Sequence, residues 1–274
     1  MQITEQTDQV IEILEANRVC TIFSVLAKFT DCIEVNFYPS RGYSKAEIEF
    51  LDDCKISLHR VFLEQIIYTK TTHLDFPVRE FYKQLKKRLK DRKLTQNSFI
   101  KMFVVQRNDK VLISIPGIQE EFNIETKLNA NKEYCLKEFD FGYENRSVAC
   151  QASKFVKVIQ KFKNKKRYDV FAIGTQDHNL NELHFQAEFE GGMDETTLEL
   201  DEEFNEYIGP KLFSASFLRE MLPIAKMSKE MRIKLEDIGG QPIMLEFEIL
   251  DNPRLKCPAI IGSHEIYIAC RGEI

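Results

Sequence analysis

The 274-residue sequence predicts an α+β protein of two similar domains, each an antiparallel sheet system with helices packed on it. Three observations carry this. The hydrophobic period switches repeatedly between two and 3.6 residues, which separates strands from helices. The second half repeats the order of the first, roughly strand, helix, several strands, helix, strands, and an internal duplication explains that economically. Between the halves, residues 116–132 (PGIQEEFNIETKLNANK) are polar and rich in turn formers, so they read as an exposed connector. The expected division is 1–115, a connector at 116–133, and 134–274. A hydrophobic content of 43% suffices for a core in each half.

In the first half, alternation predicts strands over 9–14, 34–37, 45–50, 55–63, 100–105 and 110–115. A helix follows the first strand, with Ile22, Leu26, Phe29 and Ile33 recurring at three and four. In the second half, strands are expected over 134–141, 168–173, 183–189, 197–200, 231–236, 242–250 and 265–270, and helices over 152–162 and 214–222. Gly239 and Gly240 fall between two of those strands, where a tight turn needs φ > 0. Pro223 is expected to bend the helix it closes.

Charge is distributed unevenly. Residues 77–93 carry eight basic and two acidic side chains, and residues 150–167 carry seven basic and none acidic. These are +6 and +7 in a chain of net −5, so the remainder carries −18. Within the first segment Val78, Phe81, Leu85 and Leu89 fall on one helix face and Lys83, Lys86, Lys87 and Lys90 on another. Within the second, Phe155, Ile159 and Phe162 oppose Lys154, Lys157 and Lys161. Each helix is therefore expected to pack on a sheet and present cations about 5 Å apart, one per turn. A solvated helix face is the alternative. Two such faces at equivalent places in a duplicated chain favour a polyanion partner held by its phosphates, because a surface serving solubility alone mixes signs. Lysine rather than arginine dominates, which suits loose contact indifferent to base sequence.

Other classes are not indicated. No zinc-finger spacing, RNP-type aromatic motif or homeodomain arm accompanies the cations. No P-loop, dinucleotide-binding, metalloprotease or nucleophile-elbow motif occurs, so no enzyme and no cofactor are expected. His178 and His184 stand six apart without the carboxylates of a metal site. Seven cysteines at no paired spacing fit reduced thiols. Neither a signal peptide nor a membrane span is expected, and the protein is read as soluble and not secreted.

Four stretches resemble the sliding clamps of the proliferating cell nuclear antigen (PCNA) family: VIEILEANRVCTIFSVLAKFTDCI (10–33), AEIEFLDDCKISLHRVFL (46–63), LDFPVREFYKQLKK (74–87) and RIKLEDIGGQPIMLEFEI (232–249). The sequence departs from the family in its tail, at Ile268-Ala269-Cys270-Arg271, in an apparent insertion over 251–264, and in lacking an acidic end. A divergent clamp, of viral or protistan type, is the reading.

The resemblance implies a processivity fold assembling head to tail as a homotrimeric ring, sheets outside and helices lining a hole through which duplex DNA passes. It implies DNA contacts from Lys83, Lys86, Lys87, Lys90, Lys154, Lys157 and Lys161, with Lys28 and Arg219 as further candidates. It also implies a site for short hydrophobic peptides of a DNA polymerase and other replication proteins, at Leu51, Leu128, Pro242, Ile268 and Ala269. A clamp loader and a nuclear or other intracellular replication site, a cytoplasmic factory if viral, follow from the same resemblance. A checkpoint-type heterotrimer and a processivity subunit that forms no ring are the alternatives.

Overall fold

A computed structural model of the chain describes residues 9–13, 16–31, 33–38, 44–51, 57–66, 72–91, 100–105, 110–114, 122–125, 147–163, 169–176, 179–189, 192–236, 240–250, 256 and 260–273. The chain divides into two compact units, 1–53 with 60–133 and 54–59 with 134–274.

The first unit runs β1 (Gln9–Ile13), α1 (Ala16–Phe29), β2 (Ile33–Tyr38), β3 (Ser44–Leu51), β4 (Ser57–Ile66), β5 (Thr72–Phe76), α2 (Val78–Asp91), β6 (Ile100–Val105), β7 (Lys110–Ser114) and β8 (Phe122–Glu125). Its strands fall in the orders β1-β6-β7-β8 and β5-β2-β3-β4. The second runs β9 (Val148–Gln151), α3 (Ala152–Lys163), β10 (Val170–Gln176), β11 (Asn179–Phe189), β12 (Gly192–Glu199), β13 (Lys211–Ser214), α4 (Ala215–Glu220), α5 (Leu222–Ala225), β14 (Glu230–Lys234), β15 (Ile243–Leu250), β16 (Ile260–Ile268) and β17 (Gly272–Glu273). Here the orders are β9-β14-β15-β16 and β13-β10-β11-β12, with β17 added beside β13. Element for element the second unit repeats the first, with α4 and α5 together in the place of α2. This is the antiparallel α+β duplication expected from the sequence.

Burial follows the sequence periods. Phe23, Val25, Leu26 and Phe29 of α1 and Val78 and Phe81 of α2 are buried, and the Phe23 and Phe81 rings meet edge to face at 5.0 Å. In the second unit Phe155 and Phe162 of α3 are closed off from solvent, Phe155 against Phe247 of β15 and Phe162 against Phe171 of β10. β11 sends Leu183, Phe185 and Ala187 into the core, and its alternate residues face the other way. Gly240 holds φ 77° in the turn between β14 and β15, where a side chain would be strained; Gly239 lies outside the described residues.

Several boundaries differ from expectation. Ile33 does not extend the first helix. It opens β2, paired with Phe76, because the ladder with β5 takes up its backbone while α1 closes at Phe29. The helix expected over 214–222 breaks into α4 and α5: Pro223 has no N–H to give to Arg219, and its ring crowds that carbonyl. Within the stretch expected as an insertion, 260–264 belong to β16, and Ile260, Gly262, Ser263 and His264 pair with β15. β5, β9, β13 and β17 are strands the periodicity did not mark, being two to five residues long. The strand expected over 134–141 lies outside the described residues. No described helix is long and apolar enough to cross a membrane.

Candidate nucleic-acid interface

α2 begins directly after Pro77, whose carbonyl accepts the amide of Phe81 at 2.9 Å, and Glu80 in its first turn opposes the positive end of the helix. Val78 and Phe81 fix one face inward, and Lys83, Lys86 and Lys87, on the other side of the helix, are exposed. Lys86 holds its ammonium 5.6 Å from the centre of the Tyr82 ring, which orients it without neutralising it. Lys90 lies on the same helix one turn on; its side chain is outside the described residues. Arg79 is differently employed. Its Nε donates to the carbonyl of Ala27 and its guanidinium pairs with Asp31, tying α2 to the end of α1. Lys28 is exposed in the last turn of α1, where a cation complements the negative helix end.

On α3, Phe155, Val158, Ile159 and Phe162 point inward and Lys157 and Lys161 are exposed. The three lysines are not equivalent. Lys154 places Nζ 3.2 Å from both Glu199 and Asp201, and hydrogen bonds to Asp201 and then Glu199 raise its pKa. Lys161 donates to Thr196 Oγ1 at 2.8 Å. Lys157 therefore carries the most available charge of that face. Arg219 on α4 is half-buried, its guanidinium 5.8 Å from the centre of the buried Phe171 ring, so it braces the core more than it faces outward.

The residues expected at a peptide site are brought together in part. Ile243 and Ile268 are register partners at one end of the β15–β16 ladder, so Pro242 and Ala269 stand beside each other just beyond it, both half-buried. Ile268 is fully buried and supports that pair from the core, so it offers no surface of its own. Leu51 closes β3, with its side chain outside the described residues, and Leu128 lies outside them altogether.

No protein-family model and no curated protein matches the chain in sequence. Solved structures do match in fold. The PCNA2–PCNA3 complex of Sulfolobus tokodaii gives a TM-score of 0.73 at 15% identity, over 96% of this chain and all of the other. PCNA of Entamoeba histolytica gives 0.72 at 16%, over 96% and 98%, and PCNA of Thermococcus kodakaraensis 0.73 at 15%, over 96% and 100%. The chain has the PCNA fold.

Glu199 and Asp201 are the functional neighbours that sequence reading missed: the acidic run at 201–203 was visible, but nothing local linked it to a lysine 47 residues earlier. The Cys150 thiol, on β9 beside Lys154, is pushed up to about 12 by burial and by Asp201, which disfavours the thiolate. Among the described residues no cluster of three or more metal-ligating side chains occurs.

Proposed function

We propose that this chain is a DNA sliding clamp, a processivity factor that encircles duplex DNA and tethers a polymerase and other replication and repair proteins to it. The observation that carries the reading is the pair of helices α2 and α3. Each buries an aromatic face and exposes lysines; the two helices are not equivalent as the sequence suggested, since α3 stands where α1 does and α2 where α4 and α5 do, so the cations fall on one helix of each kind. Lysines 83, 86, 87, 90, 157 and 161 contact phosphates in this reading, Lys28 and Arg219 contribute less, and Lys154 contributes once freed from Glu199 and Asp201. The role is topological and electrostatic, with no catalytic step, and belongs to an intracellular replication site.

Assembly into a closed homotrimer is supported by two strands, β8 and β12, that end their strand orders among the described residues, the place where a strand of another chain adds to a sheet. The division into 1–115, a connector at 116–133 and 134–274 belongs to the same reading, with β8 a stretch of that connector that pairs with β7 rather than standing exposed. In this reading Pro242 and Ala269 belong to the peptide site that the resemblance implies, and Leu128→Asp should abolish binding of a hydrophobic-aromatic peptide by putting a charge in an apolar groove.

The deciding experiment is retention. A loaded ring leaves linear DNA by its ends yet persists on circular or end-blocked DNA at moderate salt, and equal retention on both would overturn encirclement. A second reading, a ring of unlike chains, is favoured by one observation: a structural neighbour is a complex of PCNA2 with PCNA3. Sedimentation separates the two, because a homotrimer reaches the mass of three chains alone and a compulsory heteromer does not.

A further inference from the structure

In the second unit, the sheet face turned away from α3 carries a groove of about 410 Å³. Its floor is Ala172 and Gly174 of β10, its first wall is His184 and Gln186 of β11, and its second is Tyr207 and Pro210. The floor and first wall share a face because Ala172 pairs with Gln186 and Gly174 with His184. Residues 204–210 fold back over β10 to make the second wall. Phe204 and Ile208 are buried, and Thr175 and Ile208 exchange bonds, the Thr175 amide to the Ile208 carbonyl at 2.9 Å and the Ile208 amide to Thr175 Oγ1 at 2.8 Å. The approach depends on Gly174, whose added Cβ would lie 2.8 Å from the Ile208 carbonyl oxygen.

The groove's chemistry is one-sided. Gln186 donates to Glu195 at 3.2 Å, His184 Nδ1 lies 3.4 Å from Gln176 Nε2, and His184 Nε2, buried and itself without a hydrogen-bond partner among the described residues, lies 3.7 Å from Glu182. Glu188 lies further along the same face of β11, and Met193 opposite it is 51% exposed. Among the described residues no lysine or arginine lines the groove. The Tyr207 ring, 43% exposed, stands at its mouth. An exposed aromatic face, carboxylates behind the polar wall and a lining of described residues without cations are complementary to a planar cation.

We infer that this groove docks an arginine-bearing peptide segment of a partner protein, the guanidinium stacked on Tyr207 and drawn by the negative field of Glu182 and Glu195 behind the polar wall. The site is additional to the expected peptide site at Pro242 and Ala269. It does not depend on ring closure, and it lies on the sheet face opposite the cationic helix, so a basic segment is held away from the DNA surface.

The test uses a fluorescein-labelled Gly-Arg-Ala-Arg-Gly peptide and its citrulline counterpart, which keeps the shape and loses the charge. Anisotropy should show the arginine peptide binding about tenfold tighter than the citrulline peptide, and Tyr207→Ala and the double variant E182Q/E195Q should each weaken it about fivefold. The imidazole resonances of His184, identified by their loss in His184→Gln, should shift during the titration. Equal binding of the two peptides, or affinity unchanged in both variants, overturns the assignment. So does a Gly-Glu-Ala-Glu-Gly peptide that moves the His184 resonances when the arginine peptide does not.

Discussion

Lys154 and Asp201 are 47 residues apart in sequence and 3.2 Å apart in space, ammonium to carboxylate, and Glu199 lies at the same distance from that ammonium. A cation so placed is pre-positioned and partly neutralised. A phosphate must compete with two carboxylates for it, whereas Lys157 one turn on has no such competitor among the described residues.

Two opposite effects on DNA affinity follow. Lys157→Ala should weaken duplex binding for every sequence and lower the log–log salt slope by about 1 for each phosphate left unneutralised. Lys154→Ala should change that slope less, and D201N/E199Q should steepen it by releasing Lys154. Salt titrations of labelled duplex binding check all three, and a slope unmoved by Lys157→Ala would assign the lysine face to solvation alone.

The contrast shows what the sequence made legible. Helix faces are local: Phe155, Ile159 and Phe162 repeat at three and four, and burial of those side chains turns the lysines outward without help from elsewhere. The duplicated strand order was legible for the same reason, since long alternating runs such as Ile243–Leu250 mark themselves. Short strands such as β9 and β13 carry too few residues to show a period. The Lys154 pair, the stacking of Arg219 on Phe171 and the groove behind Tyr207 depend on chain returns of 30 residues or more, and no local pattern encodes them.

Phe81 tests how the cationic face is held. It is wholly buried beneath α2, with its ring edge to face against Phe23. Phe81→Ala should cost roughly 3–5 kcal/mol of stability in denaturant unfolding, from reduced burial and the cavity left behind. The exposed Lys83→Ala on the same helix should stay within about 0.5 kcal/mol. Comparable losses from both would contradict the orientation of α2.

Gly174 tests the fold-back of 204–210. Since a Cβ there meets the Ile208 carbonyl at 2.8 Å and the Pro210 backbone at 2.9 Å, all rigid atoms, Gly174→Ala should destabilise the second unit by about 1–3 kcal/mol. It should also speed hydrogen exchange at the Ile208 amide, whose partner is Thr175 Oγ1. The control is Thr175→Val, which removes that acceptor without forcing the backbone apart. Exchange at Ile208 unchanged in both variants would show that the contact does not hold the segment.

His264 sets the acid limit of stability. It is completely buried on β16 opposite Phe247, and desolvation pushes its pKa from 6.5 down to about 3. Because the folded value is depressed, the unfolded chain binds the extra proton between these two values. Its contribution is therefore complete above pH 6.5 and is lost as pH falls toward 3, roughly 4–5 kcal/mol in all at 1.36 kcal/mol per unit. Glu246 acts in the opposite sense. Burial, then the neighbouring Glu265, raise its carboxyl above 4.5 despite Arg232, so the folded state holds the proton longer and stability declines as pH rises from 4.5 through the folded value. Glu246→Gln should remove that decline and stabilise the protein at pH 7 relative to the parent. His264→Leu should flatten the acid limb between pH 6.5 and 3, read as the denaturation midpoint across pH. A ring resonance of His264 that titrates near 6.5 in the folded protein would refute the assignment.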